Sequence, residues 1–217
     1  ALGSRAPGEG GAGPAAVPTR RFGVLVPAHD EEESLGKTLA SIGEFNYPPA
    51  LFDIFVIADN CTDSTADVAR SFGAGVLERT DDRNRGKGHA LRWAFDLLLA
   101  RDPGYDAFVV IDADSVATKN FLLVMDAHLG RNAEAIQAAD LAVRNDASWS
   151  AEITRLGFTL YNHVRPAGRA VLGCTAGLRG NGMCFSAGLL RRLPWNAFGL
   201  TEDLQYGLTL LLNRVKV

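Results

Sequence analysis

The sequence predicts an α/β fold in which a mostly parallel sheet is sandwiched by helices. Short apolar runs of about five residues alternate with longer segments whose apolar residues recur at helical spacing. The runs are apolar at almost every position, which is typical of strands that are covered by helices on both faces. Right-handed crossovers between such strands build a doubly wound sheet, and its ligands bind at the carboxyl ends of the strands.

The first half of the chain alternates regularly between the two kinds of segment. Residues 22–26 (FGVLV) are continuously apolar and end at a proline, as a short buried strand would. Residues 31–42 then carry Leu35, Leu39 and Ile42 on one helical face. The same patterns predict strands at residues 53–58, 75–77 and 107–111, and helices at residues 65–72 and 88–100.

The second half is less regular. We expect helices at residues 120–129, 148–164 and 201–213, strands at residues 135–143 and 182–186, and a further strand beginning at residue 214. Because the last of these elements is cut short, the domain is expected to be truncated at its C-terminal end. Trp93, Trp149 and Trp195 are expected to be packing residues.

Composition disfavours several classes of protein. A net charge of -3 argues against a nucleic-acid-binding surface, and three cysteines without metal-ligand spacing argue against a disulfide scaffold. The chain also has no apolar run near the ~20 residues that a membrane helix needs. Residues 1–20, rich in Gly, Ala and Pro, are expected to be a disordered leader or linker, and residues 21–217 to form the folded domain.

Acidic residues follow three of the predicted strands. They occur in residues 27–32 (PAHDEE), in residues 58–63 (ADNCTD), and at Asp112 and Asp114. Capping of the following helices explains some of these acids, but it explains the last pair poorly because that pair follows the most strand-like run. Residues two apart on an extended chain point the same way, so both carboxylates can face one site. Such oxygen ligands suit Mg²⁺ or Mn²⁺ bound together with a phosphate group.

A basic segment, Arg85-Gly86-Lys87-Gly88, precedes the helix at residues 88–100. Glycines allow close approach of the backbone to a ligand, and the helix N-terminus and the basic side chains attract an anion. The segment is not a Walker loop, because no Ser or Thr follows the lysine. Alone it could equally be a solvated turn, but together with the acidic clusters it indicates a diphosphate site.

The segment Thr201-Glu202-Asp203 opens the helix at residues 201–213. Thr201 is predicted to be its N-cap, so the two acids lie in the first turn, where the helix dipole stabilises an ionised carboxylate. Such a carboxylate is suited to act as a general base, although complementarity to the dipole alone would also explain it.

Together these motifs resemble the family 2 glycosyltransferases of the GT-A fold, particularly the branch related to cellulose and poly-N-acetylglucosamine synthases. The resemblance covers residues 22–217 and rests on PAHDEE, ADNCTD, RGKGHAL, VVIDADS, GNGMCF and LTEDL. It implies a Rossmann-like domain that moves a sugar, with inversion, from a nucleotide sugar (usually a UDP-sugar) to a carbohydrate or lipid-linked acceptor, with Mg²⁺ or Mn²⁺ as cofactor. It also implies polysaccharide or cell-envelope synthesis in the cytoplasm or at the cytoplasmic face of a membrane, with membrane contact only through regions outside this chain.

The resemblance also implies roles for individual residues. The donor-binding residues would be Pro27, Ala28, His29, Glu31, Asp59, Lys87, Asp112 and Ala113. Asp114 would bind the metal, and Asp203 would be the general base. Asn181, Gly182 and Glu202 would lie on the side of the donor sugar and the acceptor.

Three other functions are compatible with parts of the sequence. A haloacid-dehalogenase-like phosphohydrolase would use Asp112 as nucleophile and Asp114 beside it. A sugar nucleotidyltransferase shares a similar nucleotide-binding half, but it would have a glycine-rich, arginine-containing loop where this chain has acids after its first strand. The third alternative is a domain that binds a nucleotide sugar without turnover.

Overall fold

Six strands form one sheet in the computed structural model, which describes residues 18–101, 104–141 and 148–217. In chain order the strands are β1 (Phe22–Ala28), β2 (Phe52–Asp59), β3 (Gly75–Arg79), β4 (Ala107–Val110), β5 (Ala135–Gln137) and β6 (Met183–Ser186). Their order across the sheet is β3-β2-β1-β4-β6-β5.

The α-helices within the described residues flank this sheet. They are α1 (Leu35–Gly43), α2 (Thr65–Ser71), α3 (Lys87–Arg101), α4 (Phe121–Leu129), α5 (Trp149–Thr159), α6 (Arg165–Val171), α7 (Ala187–Arg192) and α8 (Glu202–Leu212). A π-helical turn at Leu160–Val164 joins α5 to α6, so residues 149–171 form one continuous helix. In the part of the chain that is described, no helix is both long enough and apolar enough to cross a bilayer.

The direction of the strands confirms the predicted, mostly parallel α/β sheet. Strands β1 to β4 pair in parallel, whereas β6 runs antiparallel to both β4 and β5. From β1 the chain proceeds to β2 and β3 on one side of the sheet and then crosses to β4 on the other side. The resulting switch point lies between the carboxyl ends of β1 and β4, where sheets of this kind bind ligands.

Buried side chains on the two faces of the sheet form two separate cores. Leu25 of β1 packs with Phe95 of α3 on one face, and its neighbour Val24 packs with Leu35 of α1 on the other. This alternation explains why the central strands are apolar at almost every position. Burying each such side chain stabilises the fold by roughly 1.5–3 kcal/mol.

An aromatic cluster holds α8 against the sheet. The ring of Trp195 lies 4.5 Å from that of Tyr206 on α8 and 5.9 Å from that of Phe185 on β6, measured between centroids. Tyr206 also donates its hydroxyl to the Leu193 carbonyl oxygen at 2.7 Å. Trp195 is therefore a packing residue, as expected. The same expectation is wrong for Trp149, whose side chain is 81% exposed.

Several element boundaries differ from the sequence prediction, including those of α1, β5 and the last predicted strand. Helix α1 begins four residues late, because residues 29–34 form bends and a turn in which Asp30 adopts a φ of 55°. Strand β5 ends at Gln137, whose side-chain amide bonds to the Ala138 and Asn181 carbonyl oxygens. Residues 215–217 form no strand, although Ala176 donates a hydrogen bond to the Val217 carbonyl oxygen.

Two parts of these predictions, residues 1–17 of the leader and residues 142–143 of the fifth strand, lie outside the described residues. Arg20, within the predicted leader, forms an ion pair with Asp126 of α4 at 2.5 Å. Tyr47 donates its hydroxyl to the Arg20 carbonyl oxygen at 2.8 Å. The boundary at residue 21 stays a prediction.

Candidate active site

A cleft of about 480 Å³ opens at the carboxyl ends of β1, β2 and β4, at the switch point of the sheet. It brings together nine residues that the sequence predicted as donor or metal ligands: Pro27, Ala28, His29, Glu31, Asp59, Lys87, Asp112, Ala113 and Asp114. These residues come from the end of β1, the end of β2, the start of α3 and the segment after β4. The fold therefore collects into one cleft side chains that are up to 87 positions apart in the sequence.

One end of the cleft is built around His29 and Asp59. His29 Nδ1 lies 2.7 Å from the Asp59 carbonyl oxygen. Because that oxygen can only accept, Nδ1 carries the proton in this hydrogen bond. Glu31 lines the cleft, but its carboxylate accepts a hydrogen bond from Ser34 just before α1. Glu31 thus also stabilises the turn that leads into this helix.

Arg79, at the end of β3, forms an ion pair that the sequence interpretation missed. Its guanidinium donates to Asp59 Oδ1 at 2.6 Å, and less than a tenth of either side chain is exposed. The guanidinium also donates to Asp81 and to the Asn84 carbonyl oxygen. Arg79 therefore connects the loop before α3 to Asp59 at the end of β2. Arg79 and Asp59 end neighbouring parallel strands and pair in register, which the sequence prediction did not reveal because it ended the third strand at residue 77.

The other end of the cleft is organised by Lys87. Its ammonium donates to Asp112 Oδ1 and to the Gly180 carbonyl oxygen, the latter at 2.8 Å. Burial raises the pKa of Asp112, Lys87 opposes this effect, and the carboxylates of Asp114 and Asp140 reinforce it. The ionised Asp112 therefore depends on nearby positive charge.

The donor set suits a divalent cation. Asp114 is exposed at the cleft wall, whereas one oxygen of Asp112 is already bonded to Lys87. Carboxylate oxygens are hard ligands of the kind that Mg²⁺ and Mn²⁺ take, together with water and phosphate oxygens. A cation here would also offset the repulsion between the two acids, so Asp114 fits its predicted metal-binding role.

The two glycines beside Lys87 have different roles. Gly86 lines the cleft with a φ of 107°, which only glycine adopts readily. A Cβ on Gly88 would lie 2.1 Å from the Ala197 carbonyl oxygen, so this glycine allows α3 to approach the segment before α8. The expectation that both glycines admit a ligand is therefore wrong for Gly88.

The predicted base approaches the donor cleft at Gly180. A methyl group at this position would lie 3.7 Å from both Asp203 Oδ2 and Lys87 Nζ. The two side chains therefore flank the same glycine. Since Gly180 has a φ of 83°, the loop reaches this position in a conformation that other residues rarely adopt.

Thr201, Glu202 and Asp203 occupy the predicted positions at the start of α8. Thr201 is the N-cap residue, but its hydroxyl makes no capping hydrogen bond within the described residues, contrary to expectation. Burial raises the pKa of Glu202, and the Lys87 ammonium opposes this effect. The first turn of α8 is thus within electrostatic reach of Lys87.

A second cleft, of about 460 Å³, shares a wall with the first, and Asp112 and Asp114 line both. Asn181 lines the second cleft, and its side chain accepts from the Asp112 backbone N–H at 3.1 Å and donates to Ser115 Oγ at 2.9 Å. It therefore positions the segment that carries the acid pair. Gly182 lies on the same wall, with a φ of 67°. Contact of these two residues with a sugar or acceptor stays a prediction.

Three residues around the second cleft were missed. Gln137 donates to the Asn181 carbonyl oxygen at 2.6 Å and accepts from the Arg179 backbone N–H at 2.8 Å. Asp140 follows β5 and lies close enough to Asp112 to influence its pKa. Gln137 and Asp140 could have been found as polar residues at the end of a strand, but strand β5 was predicted to continue past them.

Comparisons with known proteins agree with this architecture. Residues 18–217 match the family described as "Glycosyltransferase like family 2". The 4,4'-diaponeurosporenoate glycosyltransferase of Staphylococcus aureus strain USA300 is 41% identical over 70 residues, which are 31% of this chain and 18% of the relative.

Two solved structures share the fold. S. aureus TarS 1-349 in complex with UDP-GlcNAc superposes with a TM-score of 0.65 at 15% identity over 89% of this chain and 54% of that chain. Glucosyl-3-phosphoglycerate synthase from Mycobacterium tuberculosis, in complex with Mn²⁺, UDP and phosphoglyceric acid, gives a TM-score of 0.60 at 23% identity over 89% and 65%. This chain thus spans less than two thirds of each of these three proteins.

The superpositions confirm the predicted GT-A fold. They do not bear on the cellulose synthase branch, which stays a prediction. The family match extends over all the strands and helices described above. The chain belongs to the glycosyltransferase-like family 2.

Proposed function

We propose that this domain binds a UDP-sugar and transfers its sugar, with inversion, to a hydroxyl of a carbohydrate or lipid-linked acceptor. The observation that carries the proposal is the placement of Lys87, which contacts Asp112 on the donor side and flanks Gly180 together with Asp203. A diphosphate anchor and a candidate base thus converge on one site. TarS and glucosyl-3-phosphoglycerate synthase, the structural neighbours above, bind UDP-GlcNAc and UDP respectively.

Asp59 is well placed to read the base of the nucleotide. Its Oδ1 accepts from Arg79, which leaves Oδ2 as the oxygen that would accept the imide N–H of uracil. The buried ion pair with Arg79 holds this carboxylate in a fixed position. Uridine diphosphate is the proposed donor nucleotide because the structural neighbours TarS and glucosyl-3-phosphoglycerate synthase bind uridine nucleotides.

The chain's own residues perform the remaining steps. Lys87 binds the diphosphate and compensates its charge, and Asn181 holds the Asp112 segment in place. Asp203 removes the proton from the acceptor hydroxyl as that oxygen attacks the anomeric carbon from the face opposite the diphosphate. The bond to the diphosphate breaks as the new glycosidic bond forms, which inverts the configuration. Asp114 would hold a divalent cation, which would supply positive charge that favours departure of the nucleotide.

The family assignment argues against the haloacid dehalogenase and nucleotidyltransferase alternatives. A donor-binding domain without turnover remains the competing proposal. It shares the whole donor cleft and differs only in having no role for Asp203.

Calorimetric titration with UDP, GDP and dTDP, with and without Mn²⁺, tests the donor site. We expect UDP to bind most tightly and to need the metal, and Asp114→Asn to remove the dependence on Mn²⁺. Asp96→Asn is the matched control, because Asp96 is an exposed carboxylate on α3 that pairs with Arg92. NMR of the product from a UDP-sugar would determine its anomeric configuration. Retained configuration, or binding of UDP that ignores both Mn²⁺ and Asp114, would contradict the proposal.

A further inference from the structure

The continuous helix formed by residues 149–171 carries an apolar stripe along its whole length. Its residues recur at spacings of four, three, four, four and seven positions: Trp149, Ile153, Leu156, Leu160, Val164 and Val171. The π-helical turn lies between Leu160 and Val164 and keeps these two residues on one face. At least half of each side chain is exposed, up to 81% for Trp149.

Few side chains attach this helix to the rest of the domain. Helix α5, all of which is described, buries none of its side chains, and the π-helical turn and α6 bury only Asn162 and Pro166. Arg169 adds a hydrogen bond from Nε to the Thr175 carbonyl oxygen at 2.8 Å. An apolar stripe of this length, presented on a helix that contributes so little to the core, is typical of a docking surface.

The same flank is basic in a protein that is otherwise acidic. Residues 149–172 and 214–217 contain five of the 22 basic residues and one of the 25 acidic ones. The rest of the chain therefore has 17 basic and 24 acidic residues. The two segments adjoin, because Lys216 donates to the Gly173 carbonyl oxygen at 3.1 Å. Their single acid, Glu152, forms an ion pair with Arg155.

We propose that this stripe lies on the surface of an anionic lipid bilayer. An apolar helix face flanked by basic side chains binds in the interfacial plane, where long arginine and lysine side chains reach lipid phosphates. Trp149 and Tyr161 are of the aromatic types that favour the lipid–water interface, and the Arg165 guanidinium lies 5.0 Å from the Tyr161 ring centroid. A second copy is a poorer occupant, because symmetric pairing would bring the same positive flanks together.

This orientation would bring the reaction site near the membrane. The helix leads directly into residues 173–182, which contain Gly180 beside Asp203 and Lys87. A bilayer that holds the helix would therefore lie on the side from which an acceptor approaches the base. The inference departs from the sequence-based expectation that membrane contact occurs only through regions outside this chain.

Co-sedimentation with vesicles tests the surface directly. One set consists of phosphatidylcholine mixed with phosphatidylglycerol, and the other of phosphatidylcholine alone. We expect at least about tenfold tighter binding to the anionic set, weakened by added salt. The triple variant Trp149→Ser, Ile153→Ser, Leu156→Ser should bind about tenfold or more weakly. Arg165→Gln with Lys216→Gln should remove most of the preference for anionic lipid.

The matched control is Phe72→Ser with Val124→Ser, which removes similarly exposed apolar side chains from α4 and the end of α2. It should bind vesicles like the wild type, and UDP affinity should be unchanged in every variant.

Failure of the wild type to bind anionic vesicles would overturn the proposal, as would equal binding by the triple variant. Stripe-dependent dimerisation without vesicle binding would assign the surface to a second copy. If the wild type does not bind vesicles and the triple variant has a much lower Tm, the apolar stripe would be assigned to contact with another segment of this protein. Either result would also overturn the proposal.

Discussion

The two sides of the candidate site are constructed differently. On the donor side, buried or half-buried polar side chains bond across elements, as Arg79 does to Asp59 and Lys87 does to Asp112. On the side formed by α5, α6 and the first turn of α8, exposed side chains predominate. The donor wall is therefore held together by bonds between its own side chains, whereas the opposite wall consists of the largely exposed apolar and basic side chains of α5 and α6 and the half-buried carboxylates at the start of α8.

The difference between the two walls corresponds to two requirements of a group transfer, which are a rigid site for the donor and an open path for the acceptor. A nucleotide diphosphate is a fixed structure, and side chains that already hold one another in place bind it with little loss of entropy. The acceptor has to reach the anomeric carbon from the opposite face, so the wall on that side has to be open. Substitutions on the donor side should therefore affect folding and UDP binding, and those on the open side should affect turnover or docking.

The largest expected effect is on turnover, from Asp203→Asn. Loss of a general base typically slows the chemical step by about 10²–10⁴-fold. UDP affinity should stay within about twofold of the wild type, because Asp203 is not among the described residues that line the donor cleft. Measured kcat and calorimetric Kd for UDP separate the two effects. Asp96→Asn, which changes an exposed carboxylate outside the site, is the control and should keep most of the activity. Normal turnover with weakened UDP binding would show that Asp203 belongs to the donor side.

On the donor side, the largest expected effect is on stability, from Arg79→Met. The substitution leaves Asp59 as a buried carboxylate without its cation, which destabilises a fold by about 3–5 kcal/mol. Arg70→Met is the matched control, since Arg70 pairs with Asp67 and Glu78 in exposed positions, where such a loss is within about 1 kcal/mol. Urea unfolding measures both. Equal free energies of unfolding for the two variants would mean that the donor wall is not held by this pair.

The features of the donor wall were predicted from the sequence more completely than those of the opposite wall. Strands β1 to β4 and the cleft residues were predicted, because apolar runs and the acids that follow them are local signals and parallel strands end at one edge. The partner of Asp59 was missed, since Arg79 is 20 residues away and its role depends on strand register. The exposure of Trp149 was also missed, because helical spacing shows which residues share a face but not what covers that face.

Two glycines provide a smaller contrast. Gly88→Ala would place a Cβ 2.1 Å from the Ala197 carbonyl oxygen, so α3 or the segment before α8 has to move. We expect a loss of about 1–3 kcal/mol, which exceeds the ~0.5–1 kcal/mol that alanine gains in a helix. A Cβ at Gly157 on α5 would have no atom within 4 Å, so Gly157→Ala should stabilise the protein by ~0.5–1 kcal/mol. Thermal unfolding distinguishes the two. A stabilised Gly88→Ala variant would show that the contact between α3 and Ala197 is loose.

The smallest expected effect is a dependence of stability on pH, with opposite signs on the two sides. Burial raises the pKa of Glu202 above its value in the unfolded chain. Between these two pKa values the native state binds more protons than the unfolded state, so the stability of the fold falls as pH rises through this range. Glu202→Gln removes this loss, so its Tm should exceed that of the wild type at pH 7.5, by an amount that shrinks as pH falls towards about 4. Hydrogen bonds from the side chain and backbone of Asn84 lower the pKa of Asp81 in the donor-side loop, so its contribution is present at neutral pH and is lost on acidification. Asp81→Asn should therefore lower Tm at pH 7.5 and approach the wild type in acid. If both variants shifted Tm in the same direction at pH 7.5, the electrostatic difference between the two walls would be refuted, because only opposite pKa shifts predict opposite signs.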